Sequence, residues 1–485
     1  MNKRIILTLV LIASAALLGL ALYFLTRETP DAGSRVSAPE KTPADYIYYI
    51  GETGDIRTIT VRNNYGEYTM TGGYNPVIVG YEDYPISNFY FLHFLDVASR
   101  LESAGFVTDN EENLSIFGLA PAQAQLDIKS FNGVNIKLDI GYVAPDNNMY
   151  VRLENSSAVH LAYYFDVSVF LYNIDRLIDT AVSPTARKDQ DDNLLFDRII
   201  LGGQAREEIV IVRNNSSGNL MNMNLSPYRI ISPLNVAAGM EHIDIYESLF
   251  GLYADWFTAR VSDNAALRRD QLDNYGLLQP WSTLELVIDG ISYRTLFSKP
   301  DSADYVYIMR DGTPFVYESL SGSFPWLNIS HFELMDKMVI LPSIDSVASI
   351  DLKTLSGTVT FAISGTEQDL SVQAAGGDLT GGSFTGGSID TRNFRIFYQN
   401  LVGARYDEYN DIPVNTLTSP FLEIVYRYRD SSLRADTVSF YETSSRRVLT
   451  SLNNGRAHFT LSVYTDKLLS DLQLILAGER IRAYL

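Results

Sequence analysis

The sequence predicts an α+β fold dominated by antiparallel sheet: one N-terminal transmembrane helix, then three related repeats of antiparallel sheet with packed helices. Three observations lead there. Residues 5–25 form an apolar run without a charge. Short runs with a period of two, broken by Gly-containing turns, recur through the rest. Similar motifs return at spacings of 140 to 159 residues, the mark of an internal repeat. The expected organisation is a signal-anchor at 1–26, a tether at 27–45, and repeats at 46–180, 193–330 and 336–485.

The apolar run reaches roughly 30 Å as a helix, the hydrocarbon thickness of a bilayer. Lys3 and Arg4 precede it, and Tyr23 and Phe24 lie near its far end, where rings favour the interface. That order matches a single-pass anchor with the bulk of the chain on the extracytoplasmic side of the cell membrane. A cleaved signal peptide is the rival reading, but its small-x-small site would be Ala13-Ser14-Ala15, in the middle of the run. Pro30, Pro39 and Pro43 among Ser, Thr and charges then read as a solvated tether.

In the first repeat, Ile56 to Val61 alternates and leads through a Gly-containing turn to Tyr68-Thr69-Met70. Val61-Arg62-Asn63-Asn64 recurs as Val212-Arg213-Asn214-Asn215, and Val212 to Leu352 repeats the 140-residue step from Pro280 to Pro420. An amphipathic helix is expected from Ser87 to Leu101, with Phe91, Phe94, Leu95 and Ala98 on one face; its counterparts are His242 to Arg260, and Thr391 to Arg405 behind an Asp390 cap. Hairpins are expected at Asn132-Gly133, Asp289-Gly290 and Asp311-Gly312. In the third repeat the strands are Leu422 to Tyr428, Thr437 to Tyr441, Arg447 to Leu452 and His458 to Val463. Closing helices are predicted at Val167 to Ile178 behind Asp166 and Lys467 to Ala477 behind Asp466, with a shorter one near 322–329 because Pro325 interrupts it.

Composition narrows the chemistry. The chain has 485 residues with 38 Lys and Arg against 58 Asp and Glu, a net charge of -20, so a polyanion would be repelled and nucleic acid is not an expected partner. With no cysteine, thiolate metal sites and cysteine nucleophiles are excluded. His93, His160, His242, His331 and His458 lie far apart in sequence and lack a paired metal-ligand spacing, although His93 and His242 both fall on predicted helices. Asp189, Asp191 and Asn193 begin like a calcium loop, but Leu194 and Ile200 stand where Gly and Glu are needed. Asp407, Glu408 and Asp411 read as a solvated acidic loop.

The Gly-rich stretch 376–388 has no lysine for a phosphate loop and reads as a flexible loop ahead of the third helix. Ser323 has no evident histidine partner and no G-x-S-x-G elbow around it. No catalytic, cofactor-binding or metal residue is therefore assigned, and the chain is expected not to be an enzyme. The 31 tyrosines are the one compositional excess, fitting the rims of many strands or a binding surface.

Phe117-Gly118-Leu119-Ala120-Pro121, the Asn132-Gly133 hairpin, Ile140-Gly141 and Tyr150-Val151-Arg152-Leu153, set behind a basic N-terminus with one anchor, resemble a bacterial family of membrane-anchored repeat proteins whose domain is of unknown function. The resemblance is clearest over 46–179, fair in the second repeat and faint in the third. Gln279 is inserted before Pro280, and the third repeat lacks the Gly-Leu pair. Members of that family are commonly encoded beside gliding-motility-type ABC transporters. The resemblance thus implies a non-enzymatic extracytoplasmic accessory or interaction protein of an ABC-type export system, with permease or auxiliary subunits as partners. It carries over no catalytic residues. The alternative expectation is an envelope polysaccharide-binding protein using surface tyrosines and acids, and a third is an unrecognised hydrolase.

Overall fold

A computed structural model of the chain describes residues 45–73, 75–214, 226–366, 368–376, 386–443 and 446–482. The predicted membrane helix and the tether up to residue 44 lie outside them. Among the described residues no helix is long and apolar enough to cross a membrane. The chain divides into two compact units between Asp179 and Thr180.

The first unit opens on strand β1 (Tyr46–Tyr49) and a hairpin of β2 (Ile56–Asn63) and β3 (Gly66–Thr71). Helix α1 (Asn88–Ser99) follows, with short strands β4 (Arg100–Glu102) and β5 (Gly105–Thr108). A meander of β6 (Ala124–Ser130), β7 (Asn135–Val143), β8 (Met149–Leu153) and β9 (Val159–Ala162) leads to the one-turn helix α2 (Tyr164–Val167). The seven-stranded sheet has the order β3-β2-β6-β7-β8-β9-β5, and β1 pairs with β4 apart from it. Alternation decides which face is buried: Ile59, Val61, Leu126, Ile128, Leu138 and Ile140 pack with Phe94, Leu95 and Ala98 of α1 and with Phe170. A polar row crosses three neighbouring strands. Asp139, only 5% exposed, accepts from Gln125 Nε2 and from Arg152 Nη2, each at 2.9 Å.

The second unit holds two nine-stranded sheets. The first is built from β10 (Arg198–Gly202), β11 (Ile209–Arg213), β12 (Tyr228–Ser232) and β13 (Val236–Ala237), then helix α3 (Ile243–Glu247) and β14 (Trp256–Arg260). Helix α4 (Ala265–Asn274) precedes the meander β15 (Ser282–Ile288), β16 (Ile291–Phe297), β17 (Tyr305–Arg310) and β18 (Phe315–Leu320), and helix α5 (His331–Leu334) comes after it. The other sheet starts with β19 (Val347–Thr354), β20 (Gly357–Ser364), β21 (Ser371–Gly376) and β22 (Gly387–Ser388), then helix α6 (Thr391–Leu401) and β23 (Glu408–Pro413). Its meander is β24 (Leu422–Tyr428), β25 (Asp436–Glu442), β26 (Arg447–Leu452) and β27 (Arg456–Leu461), closed by helix α7 (Ser462–Leu476).

The orders are β13-β12-β11-β10-β15-β16-β17-β18-β14 and β22-β21-β20-β19-β24-β25-β26-β27-β23. From the first strand to the far edge they match that of the first unit, which has one strand outside its first strand where they have three. In all three large sheets the first strand (β2, β10, β19) lies beside the first strand of the meander (β6, β15, β24). The strand laid down before the meander (β5, β14, β23) sits at the far edge, next to the meander's last strand.

Local chemistry accounts for where the sequence reading held. Asp289 (φ 52°) and Gly290 (φ 76°) are both left-handed, as a two-residue turn between Ile288 and Ile291 requires. Asp390 accepts from Asn393 N at 2.9 Å and caps α6, whose Phe394 and Phe397 rings lie 5.5 Å from that of Phe361.

Other expectations are corrected. The helix expected over His242 to Arg260 is the single turn and a half of α3; Gly251 at φ 62° ends the turns beyond it, and Trp256 to Arg260 is an edge strand. Val167 to Ile178 is not one helix but α2 followed by two 3-10 turns, Ser168–Leu171 and Ile174–Leu177, separated by Tyr172 and Asn173 in extended backbone. Helix α7 begins at Ser462, so Asp466 lies inside it and Leu461 stands at the cap position. Near Pro325 there is only the 3-10 turn Ser321–Ser323, and α5 starts later behind Ser330. Ser87 does stand before α1, without a side-chain cap bond.

The Val-Arg-Asn-Asn match is not a structural equivalence. Val61 lies in a first strand, β2, whereas Val212 lies in a second strand, β11, and Leu352 again in a first strand, β19. The prolines behave differently: Pro121, Pro280 and Pro420 each lead into a meander's first strand. Gly376, Gly387 and Ser388 belong to the paired strands β21 and β22, while 377–385 lie outside the described residues.

Replacing Arg152 with Ala leaves the Asp139 carboxylate buried without its cation, a change that costs about 3 kcal/mol or more. Urea unfolding followed by hydrogen-exchange mass spectrometry is expected to show the loss in peptides covering 124–153.

Candidate functional site

The five histidines separate into distinct roles. His93 Nε2 lies 3.1 Å from both the Phe165 and the Asp166 carbonyl oxygens, so it ties α2 to α1. Its ring stacks on Phe89 with centroids 6.0 Å apart and meets Phe165 edge-on at 4.9 Å. His160 faces Phe106 across β5 and β9, and partial burial lowers its pKa. His242 ends a 3-10 turn rather than lying on a helix, so it is no counterpart of His93. His331 and His458, distant in sequence, come together: Tyr409 packs on His331 at 5.0 Å and on His458 at 5.5 Å, with Phe332 and Tyr406 completing the cluster. The Asn410 backbone N–H donates to His458 Nδ1 at 3.3 Å, which leaves the proton of a neutral ring on Nε2.

This cluster lies beside a strap, Leu334 to Ile340, that joins the two sheets of the second unit. Gly239 N donates to Leu334 O at 2.7 Å and Asp336 N to Ala237 O at 2.9 Å, pairing the strap with the end of the first sheet. Tyr406 N donates to Lys337 O at 2.8 Å and Val339 N to Ala404 O at 2.9 Å, pairing it with the chain after α6. Two hollows flank it. One, of about 580 Å³, is lined by Arg229, Asn235, Asp336, Tyr406, Arg456 and His458, among others. The other, of about 360 Å³, is lined by His242, Ile245, Ile329, Phe332, Glu333 and Lys337, among others.

The larger hollow is lined by many hydrogen-bonding side chains among apolar ones. Arg229 Nε donates to Asn235 Oδ1 at 2.5 Å, which holds the guanidinium against the loop between β12 and β13. Asp436 is committed to its own sheet, accepting from Tyr428 Oη and, at 2.7 Å, from Asn453 Nδ2. Burial and that carboxylate push the Tyr428 phenol up.

In the smaller hollow the Lys337 ammonium lies 3.8 Å from the centre of the Phe332 ring. Its Nζ is buried and has no hydrogen-bond partner among the described residues. Burial pushes its pKa down to about 8, against the opposing pull of Glu241 and Glu333. Glu333 is held below the usual carboxylate range by Ser330, whose hydroxyl and backbone N–H donate to it at 2.6 and 2.8 Å. Nearby, Arg206 donates to the carbonyls of Trp326 (2.7 Å), Leu327 and Ile329 (3.3 Å), and so shapes the 326–329 wall.

The first unit offers a surface rather than a hollow. Phe89 and Leu92 on α1 and Phe165 on α2 are 56%, 61% and 64% exposed, and the rings of Phe89 and Phe165 lie 6.2 Å apart. The sequence pattern does not announce this face, because Phe94, Leu95 and Ala98 already supply the apolar period of α1 and Phe165 lies on a different element.

The remaining sequence candidates are engaged in structure. Asp189 Oδ1 accepts from Asp191 N and Asn193 N, both at 3.0 Å, and its other oxygen meets Arg213 at 2.8 Å; these bonds hold it below the usual carboxylate range. Asp407 accepts from Leu461 N at 2.7 Å and Glu408 pairs with Arg447, whereas the Asp411 side chain lies outside those described. Among the described residues no three His, Asp or Glu side chains are grouped to hold a metal ion.

Residues 77–192, about a quarter of the chain, match the family described as "Domain of unknown function (DUF4340)". That span starts between β3 and α1, runs through α2 and past the boundary at Asp179, and includes the exposed aromatic face. No curated protein and no solved structure matches the chain.

Because the folded pKa of Lys337 lies below its ordinary value of 10.5, its protonation opposes folding fully below pH 8, progressively less as pH rises to 10.5, and not at all above. Lys337→Met is therefore expected to stabilise the second unit at pH 7 by about 1 kcal/mol, the figure being kept small because the side chain retains solvent contact. The gain should shrink as pH rises from 8 to 10.5 in urea titrations read by tryptophan fluorescence.

Proposed function

We propose that the chain is a non-enzymatic extracytoplasmic accessory protein, fixed at the cell membrane by the apolar segment 5–25, in which segments 46–180, 193–330 and 336–485 are copies of one contact-making unit. The observation that supports this most directly is the common strand order of the three large sheets. Repetition of one unit multiplies presentable surface, and three buried carboxylates are bonded to side chains of their own sheet or of a neighbouring helix. Asp139 is held by Arg152 and Gln125, Asp351 by Arg427 and Thr360, and Asp471 by Asn400. The partner class, permease or auxiliary subunits of an ABC-type export system, comes from the resemblance over 46–179. Photo-crosslinking in native membranes followed by pull-down is expected to recover such subunits; recovery of none would count against the reading.

A second reading, an envelope polysaccharide binder, is favoured by the hollow beside Arg229, Asn235 and Tyr406, where hydrogen-bonding groups and a ring converge as a sugar requires. The chain should then sediment with cell-wall material, and Arg229→Ala combined with Asn235→Ala should abolish that sedimentation. Sedimentation unchanged by the pair would remove the hollow from consideration.

A further inference from the structure

The exposed positions of α1 are Asn88 at its start, then Phe89 and Leu92 three residues apart on one face, the phenylalanine and the leucine each more than half exposed. Helix α6 precedes the edge strand of its own sheet as α1 precedes β5, and its exposed positions are Arg392 and Gln399. The fold therefore does not require an apolar outer face on this helix. In the first unit that face is also extended: His93 fastens the Phe165 and Asp166 carbonyls, placing the Phe165 ring beside Phe89, and Tyr163 and Tyr164 next to it in sequence are exposed as well. A contiguous apolar patch of this kind marks a contact surface.

We propose that the face formed by Phe89, Leu92 and Phe165 seats the first unit on the lipid bilayer. The proposal rests on the anchor reading. The apolar segment ends at residue 25 and the first unit begins at residue 45. The 19 residues between them span at most about 65 Å, and about 25 Å as a coil, so this unit is the part of the described chain held closest to the membrane along the sequence. Phenylalanine, tyrosine and histidine rings beside a leucine suit the boundary between headgroups and acyl chains. With a net charge of -20 the chain gains nothing from anionic headgroups, so the contact is one of apolar insertion.

The absence of cysteine allows a single label. Full-length Leu92→Cys carrying a nitroxide is reconstituted into phosphatidylcholine vesicles, with Leu355→Cys, at an 80% exposed turn position, as the aqueous reference. Collision with oxygen relative to a water-soluble nickel chelate is expected to be several-fold higher at 92 than at 355 and unchanged in about 1 M salt. Phe89→Ser with Phe165→Ser should bring the ratio at 92 back toward the reference. Equal ratios at the two positions would overturn the proposal. So would a label at 92 shielded from both reagents, which signals a protein partner, a second copy or another part of this chain. Flotation of the unlabelled chain with vesicles reads the anchor separately: flotation with an aqueous label at 92 defeats the lipid-facing surface alone, and failure to float defeats both.

Discussion

The pairing of each sheet's first strand with the first strand of its meander is the constraint from which the other features follow. Ile56 is in register with Ser130, Arg198 with Val287 and Val347 with Tyr428. The chain between those partners adds strands outside the first strand, crosses the sheet through a helix to its far edge, and returns to the neighbouring position. Closing so long a loop carries an entropic cost that local hairpins avoid. It is offset by burial on the strands so joined, where Ile59, Leu126, Ile199, Leu286, Ile350 and Ile424 are almost wholly removed from water. The excursion supplies the helix that covers the sheet and the strand that ends at the far edge, which is why the same order appears wherever the pairing does.

A helix laid on a sheet leaves carbonyls facing an apolar layer, and here tyrosine meets that demand. Tyr48 Oη donates to Val97 O at the end of α1, Tyr246 Oη to Leu334 O in α5, and Tyr464 Oη to Leu401 O in α6, at 2.7 to 2.8 Å. The ring fills the space between layers while the hydroxyl satisfies a group that water cannot reach. Burial raises the pKa of Tyr48 and of Tyr246, so those phenols remain donors. The abundance of tyrosine thus has an interior role that a reading of strand rims does not anticipate.

What could be read from the sequence was local. Asp289-Gly290 and Asp390 work through bonds within a few residues, and the strands 422–428 and 447–452 carry their own pattern. The failures have physical causes. Ile243, Tyr246, Leu249 and Phe250 have helical spacing, but a left-handed glycine at 251 and the pairing of Trp256 with Glu318 override it. Helix α4 went unseen because it buries none of its residues, so no apolar stripe announces it; Asn264, which caps Ala266 and Leu267, is its only local signal. The Val-Arg-Asn-Asn recurrence misled because a tetrapeptide can end any strand, and only pairing tells a first strand from a second. For the candidate site the limit is sharper. His331 and His458 meet through a strap whose hydrogen bonds reach Ala237 on one side and Ala404 on the other, and neither partner is encoded near the histidines.

The strap also explains why the two units present different kinds of site although their sheets share an order. A large sheet covered by a helix has a filled inner face, so what the first unit exposes there are outward side chains such as Phe89 and Leu92. Two sheets joined by Leu334 to Ile340 leave re-entrant space on both sides of the join. Residues at the β12–β13 end of one sheet, such as Arg229 and Asn235, then line a hollow with Tyr406 and His458 of the other. Changes that leave every strand pair intact but shift the strap would therefore alter the hollows of the second unit, while the outer face of α1 would respond only to substitutions on its own surface.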